Sequence, residues 1–117
     1  MGQPVVHFEV QGADREALAS FYKQLFDWKT NDIAEMNYTM VETGGDGGIN
    51  GGIGPAPEGA PGGVTFYVHS DDVAGSLKRA EELGGRAVAG PMDKPDGHKW
   101  ALLADPEGHV VGLYGTG

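Results

Sequence analysis

The chain has 117 residues and a net charge of −9, from 17 Asp plus Glu against 8 Lys plus Arg, and it has no cysteine. That length suits a single domain, 1–117, with one modest core, and the missing cysteine excludes disulfides, thiolate metal sites and a cysteine nucleophile. An acidic chain without a basic cluster is a poor partner for nucleic acid, because neutralising phosphates takes concentrated Lys and Arg. The acid itself serves solubility first and favours cationic partners second. No apolar run approaches about 18 residues, so no membrane span is read. Met1-Gly2-Gln3-Pro4 opens no signal peptide, and a cytoplasmic protein is expected.

Val5 to Gln11 alternates strictly: Val6, Phe8 and Val10 on one side, Val5, His7, Glu9 and Gln11 on the other. A period of two predicts a strand with one face on a core and one polar face. Gly12-Ala13 breaks it, and Asp14 is placed to cap a helix. Leu18, Phe21, Tyr22 and Leu25 then form an i, i+3, i+4, i+7 stripe, expected to pack on Val6, Phe8 and Val10. Lys29 to Asn37 is polar, and Tyr38 to Glu42 reads as a strand. From Thr43 to Gly63 the chain is dense in Gly and Pro. No Gly-Lys-Ser/Thr and no G-x-G-x-x-G can be laid on it, so it is not a phosphate loop. It reads instead as a turn at Gly44 to Gly48, a short strand around Ile49 to Ile53 and a linker.

The opening unit then returns. Val64 to Ser70 alternates, with Val64, Phe66 and Val68 expected inward and Thr65, Tyr67 and His69 on the other face. Asp71-Asp72 offers a cap, Val73, Leu77, Ala80 and Leu83 make a helical stripe, and Gly84-Gly85 ends it. Laying Thr65 on His7 without gaps pairs Val6 with Val64, Phe8 with Phe66, Val10 with Val68, Asp14 with Asp72 and Leu25 with Leu83. Core and cap positions therefore repeat. Lys99 to Ala104, a turn at Asp105-Pro-Glu-Gly-His109 and Val110 to Tyr114 repeat Tyr38 to Gly52, pairing Gly51 with Gly112. Each half reads strand, helix, then about three strands: an α+β protein of two modules, about 1–54 and 64–117, joined by a linker at about 55–63.

Phe21-Tyr22-x-x-Leu25-Phe26-x-Trp28 after a His-bearing strand, Asp71-Asp72-Val73 through Glu82-Leu83-Gly84-Gly85, and Asp105-Pro106-Glu107-Gly108 before a last strand together carry a resemblance. The chain resembles the vicinal oxygen chelate superfamily of glyoxalase I, bleomycin resistance proteins, extradiol dioxygenases and fosfomycin resistance enzymes. The resemblance covers nearly the whole chain and implies two βαβββ modules with curved mixed sheets enclosing a cleft, usually in a homodimer. It does not specify a reaction, because function lives in the site.

The resemblance also implies where metal ligands belong: His or Glu on the first and last strands of each module. A divalent ion needs at least three donors aimed at one point. His7 matches. Thr65, Gly51 and Gly112 do not, and neither Glu9, His69 nor a shifted Asn50 restores the expected set. The resulting expectation is no metal, no cofactor and no catalytic residue. His7, Glu9, Thr65, Tyr67 and Trp100 instead contact a small molecule, with Tyr38 and Tyr114 divided between core and ligand surface. Two readings follow. One is a binding protein with a degenerate metal site, sequestering an aromatic or cationic compound. The other is a metal-dependent lyase, isomerase or dioxygenase with rearranged ligands. A purely structural or regulatory domain is a third.

Overall fold

The computed structural model describes residues 2–45, 47–56 and 62–117. The elements run β1 (Val5–Gln11), α1 (Arg15–Phe26), β2 (Lys29–Ile33), a 3-10 turn (Ala34–Met36), β3 (Tyr38–Glu42), β4 (Gly51–Gly54), β5 (Val64–Ser70), α2 (Val73–Glu82), β6 (Arg86–Asp93), β7 (Lys99–Ala104) and β8 (Val110–Gly115). The expected βαβββ order therefore occurs twice. The Pro/Gly linker falls largely on 57–61, and Asp46 in the expected turn joins it, outside the described residues.

The chain divides into two compact units, residues 7–65 and residues 66–117 with the N-terminal segment through Val6. In the later unit that segment is tied by the His69 N–H, which donates to the Pro4 carbonyl at 2.9 Å. The strands of the earlier unit lie in the order β2-β3-β4-β1 and those of the later unit in the order β5-β8-β7-β6. Each sheet is mixed. β1 runs parallel to β4 while β2, β3 and β4 pair antiparallel. β5 likewise runs parallel to β8, and β6, β7 and β8 pair antiparallel. A parallel pair needs a crossover between its strands, and the helix supplies part of it in each unit.

Both helices start as the sequence predicts. Asp14 Oδ1 accepts from the Ala17 N–H and Asp72 Oδ1 from the Gly75 N–H, each at 3.0 Å, so each carboxylate satisfies a backbone donor with no partner inside the helix. α2 stops at Leu83, and Gly84 follows at φ +101°, a left-handed conformation that favours a residue without Cβ.

The two cores differ in depth. Val10, Val41 and Ile53 are buried in the earlier unit, with Phe8, Leu18, Tyr22 and Trp28 packed around them. In the later unit Val73, Leu77, Ala101 and Leu113 are buried, with Val68, Ala87 and Leu103 against them. Several expected core positions lie outside. Val6, Phe66 and Leu83 are exposed, Val64 is 74% exposed and Thr65 is buried. Alternation therefore holds along β5, and Val68 is the residue of that side packed against the buried cluster. On α1, Leu18 and Tyr22 turn inward while Phe21 and Leu25 stay 58% exposed. The stripe is wider than the sheet it packs on.

Candidate functional site

Alternation along β1 and β3 settles which side chains share the face opposite α1. Val10 and Val41 belong to the core, so Glu9 and Met40, their chain neighbours, point the other way. His7, Gln11 and Tyr38 follow by the period of two. Tyr38 lies on β3, two strands from β1, with β4 between them. Its ring crosses β4 where that strand is glycine. A Cβ at Gly52 would overlap the Tyr38 hydroxyl, and one at Gly54 would come within 2.7 Å of the ring. Glycine inside a strand often marks such a close approach.

The crossing brings the phenol to β1. The Tyr38 hydroxyl donates to Glu9 Oε1 at 3.0 Å, and His7 Nε2 lies 2.9 Å from the same hydroxyl. Gln11 Nε2 donates to the other Glu9 oxygen, Oε2, at 2.8 Å. A phenol carries one proton. With that proton directed at Glu9, the His7 contact is a hydrogen bond when Nε2 carries hydrogen and donates. His7, Tyr38, Glu9 and Gln11 form one chain of bonds, and all four are half-buried. Of the residues expected to bind a ligand, His7 and Glu9 are thus brought together, and Tyr38 is what joins them.

The register also adjusts the comparison between last strands. Glu9 pairs with Gly52, and Tyr67 pairs with Gly112. The glycine that corresponds to Gly112 is therefore Gly52, one residue beyond the expected Gly51, which pairs with Phe8. Neither position supplies a donor. The donors left, His7 and Glu9, are engaged with the Tyr38 hydroxyl, which takes the space a side chain on Gly52 would need. Among the described residues no group of three or more His, Cys, Asp and Glu side chains is placed to hold a metal ion. Asn50 does not fill the gap, since its Oδ1 accepts from the Thr43 N–H at 3.1 Å. The residues present do not fit the divalent ion that the fold family implies.

In the later unit the face opposite α2 is aromatic. His69 pairs with Tyr114, Tyr114 with Trp100 and Trp100 with Met92. Residues paired across strands point to one side, so these four make a row across β5, β8, β7 and β6. Tyr67 joins them, its ring lying over Gly112. Tyr67 and Trp100 thus lie on the face opposite α2, and so does Tyr114, which the sequence left divided between core and ligand surface. Thr65, also expected at the ligand, is buried.

The β6–β7 loop covers part of the row. The His98 ring stacks on Tyr114 at 5.0 Å between centroids and 16° between planes, and Lys94 Nζ lies 5.7 Å above the same ring. The Tyr114 hydroxyl donates to Asp96 Oδ2 at 3.3 Å, and the His98 N–H donates to Asp96 Oδ1 at 2.9 Å. Those bonds hold the Asp96 carboxyl below the usual carboxylate range, the backbone N–H most of all, against an opposing desolvation. Desolvation pushes the Tyr114 phenol up, and the Asp96 charge adds to it. His109 is engaged elsewhere, its Nδ1 2.9 Å from Asp105 Oδ2.

Two βαβββ units, each with a helix on one face and polar or aromatic side chains on the other, are the architecture of the glyoxalase/bleomycin resistance/dioxygenase superfamily. A member of it from Vibrio splendidus 12B01 has a crystal structure that matches 97% of this chain and 99% of its own, with a TM-score of 0.68 at 16% identity. That likeness concerns the fold. Residues 7–114 match the family model described as a glyoxalase-like domain, and the chain belongs to that family. Among curated proteins, "Putative glyoxylase CFP32" of Mycobacterium tuberculosis is 31% identical over 80 residues, which are 68% of this chain and 30% of that protein. The anthracycline biosynthesis protein DnrV of Streptomyces peucetius is 28% identical over 126 residues, covering 94% of this chain and 46% of its own. The chain thus spans less than half the length of these curated relatives. No helix among the described residues is long and apolar enough to cross a membrane.

Proposed function

We propose that this glyoxalase-like protein binds a small molecule without a metal ion, as a cytoplasmic homodimer, and sequesters an aromatic or cationic compound. The observation that carries the reading is the Tyr38 hydroxyl between His7 and Glu9, over Gly52. It turns two ion donors into one hydrogen-bonded cluster, with His7, Tyr38 and Gln11 gathered about the Glu9 carboxylate. A polar group of this kind fixes orientation, and apolar or aromatic surface supplies most of the contact area in small-molecule sites. In residues 66–117, Tyr67 and Trp100 offer an aromatic ligand surface of their own in this reading. The net charge of −9 favours a cation. The likeness to a protein named for anthracycline biosynthesis suggests a first probe that is both planar and cationic, an anthracycline.

Two measurements test it. Purified protein from metal-supplemented growth is analysed by mass spectrometry for metal content, and thermal shift is read against daunorubicin and a panel of cationic aromatics. Metal-free protein stabilised by a panel member, with the shift reduced in Tyr38→Phe or in Trp100→Ala, supports the reading. One transition metal per chain, lost in His7→Ala, overturns it in favour of a metal-dependent lyase, isomerase or dioxygenase.

A further inference from the structure

The residues on both sides of Tyr38 are held by one side chain from the opposite face of the sheet. Arg15, the first residue of α1, has a side chain only 11% exposed. Its Nε donates to Asn37 Oδ1 at 3.0 Å and its Nη1 to Thr39 Oγ1 at 2.6 Å. Asp32 Oδ1 closes the network, accepting from Arg15 Nη1 at 3.2 Å and from the Thr39 hydroxyl at 2.7 Å. Thr39 is fully buried. Asn37 sits at φ +50° and ends the 3-10 turn, its N–H donating to the Ala34 carbonyl at 3.0 Å. Tyr38 thus leaves the chain between two residues fastened to the same guanidinium.

We infer that Arg15 is a positioning residue for the Tyr38 hydroxyl. It fixes Asn37 and Thr39 on the helix side, and so fixes the angle at which the phenol crosses Gly54 and Gly52 on the other side. The demand is strict, because the hydroxyl meets Glu9 and His7 at once, at 3.0 and 2.9 Å. A hydrogen bond stretched by half an ångström or turned well off line is largely lost, and a site is as precise as the residues supporting it. An arginine suits the task. Its planar fork donates in several directions from one rigid group, whereas a lysine ammonium is a single point on a flexible stem. The meaning of the device for ligand binding rests on the reading that His7, Tyr38 and Glu9 contact the ligand. The link between Arg15 and the cluster does not.

The test reads the His7 imidazole, which Arg15 does not touch in any of the bonds above. Nitrogen-detected NMR spectra are recorded across pH, with His7 assigned by loss of its signals in His7→Gln. Tyr38→Phe defines the shifts and titration midpoint of His7 without its phenol partner. The expected result is that Arg15→Lys and Thr39→Val each move His7 at least half of the way toward the Tyr38→Phe values. On the Tyr38→Phe background neither change should move it further. If Thr39→Val compromises folding, Asn37→Gly removes one Arg15 partner at a position where glycine is unstrained. Variants that melt earlier but keep the wild-type His7 shifts and midpoint would overturn the inference, leaving Arg15 as a clamp for α1. Should His7 move as expected while daunorubicin binding is indifferent to Tyr38→Phe, the positioning role stands and the ligand-site reading is what fails.

Discussion

The two units place glycine at the same point of the last strand and cover it with a tyrosine from different places. In residues 66–117 the ring over Gly112 is Tyr67, its direct partner on the first strand. In residues 7–65 the partner of Gly52 is Glu9, a carboxylate, and the covering ring arrives from the far side as Tyr38. One repeated backbone thus yields two surfaces. Where the first strand gives an aromatic, the face becomes a row of rings. Where it gives a carboxylate, the incoming phenol is captured by hydrogen bonds. The helices differ in parallel, since α2 buries Val73 and Leu77 while α1 has no fully buried residue.

The helices offer the largest effect by which the comparison can be broken. Leu77 is 6% exposed against Val73, Ala101 and Leu113. Leu77→Ala is expected to cost about 2–4 kcal/mol in urea unfolding, the transfer term plus a cavity. Leu25, at 58% exposure, is expected to cost about 0.5 kcal/mol or less on truncation to alanine. A Leu25→Ala loss comparable to that of Leu77→Ala, growing with protein concentration, would show that a second copy covers Phe21, Leu25 and Phe26 in solution. It would make the two helices equals in the assembly.

A smaller effect sharpens the contrast between the faces. Tyr38→Phe removes a bond to a carboxylate and one to an imidazole from a half-buried cluster. Its expected cost is about 1–3 kcal/mol, since a hydrogen bond to a charged group is worth more than a neutral one. Tyr114→Phe loses a single long bond to exposed Asp96 and is expected to cost less. Equal losses in paired unfolding curves would mean that the polar cluster is no tighter than the loop contact.

How much of this was legible follows from what periodicity can and cannot say. The β1 and β5 alternation, both Asp caps and the repeat itself are local patterns, and they gave the fold. β2 and β6 were counted but not located, for identifiable reasons. Lys29–Ile33 has one apolar residue in five, and Arg86–Asp93 carries Gly90-Pro91, which reads as a turn although an edge strand tolerates it. His7, Glu9 and Tyr67 were placed on their faces by alternation alone. Tyr38 was not, because its place depends on register across three strands. The spacing of Gly52 and Gly54 was the available signal. Arg15 had none, since a residue beside a helix cap looks solvated until the strands it reaches are known.

The smallest expected effect belongs to the loop over the aromatic row, and its sign comes from two opposed shifts. The Asp96 carboxyl is held low, chiefly by the His98 backbone N–H. A carboxyl depressed on folding adds stability that is complete above its unfolded value, about 3.9, and is lost as pH falls through the lower folded one. The Tyr114 phenol is pushed up by desolvation and by Asp96. Its contribution is complete below about 10, the unfolded value, and is lost as pH rises through the higher folded one. Between those limits Asp96 is charged and Tyr114 still donates to it. Both groups are near water, so screening keeps the effect small. Asp96→Asn is therefore expected to lower the urea midpoint slightly at pH 7, and that deficit shrinks as pH falls through the depressed folded value of Asp96. A deficit that does not change as pH falls would assign the loss to the shape of the Asp96–His98 turn. In that case the charge does not hold His98 and Lys94 over Tyr114, and the difference between the two faces lies in their rings alone.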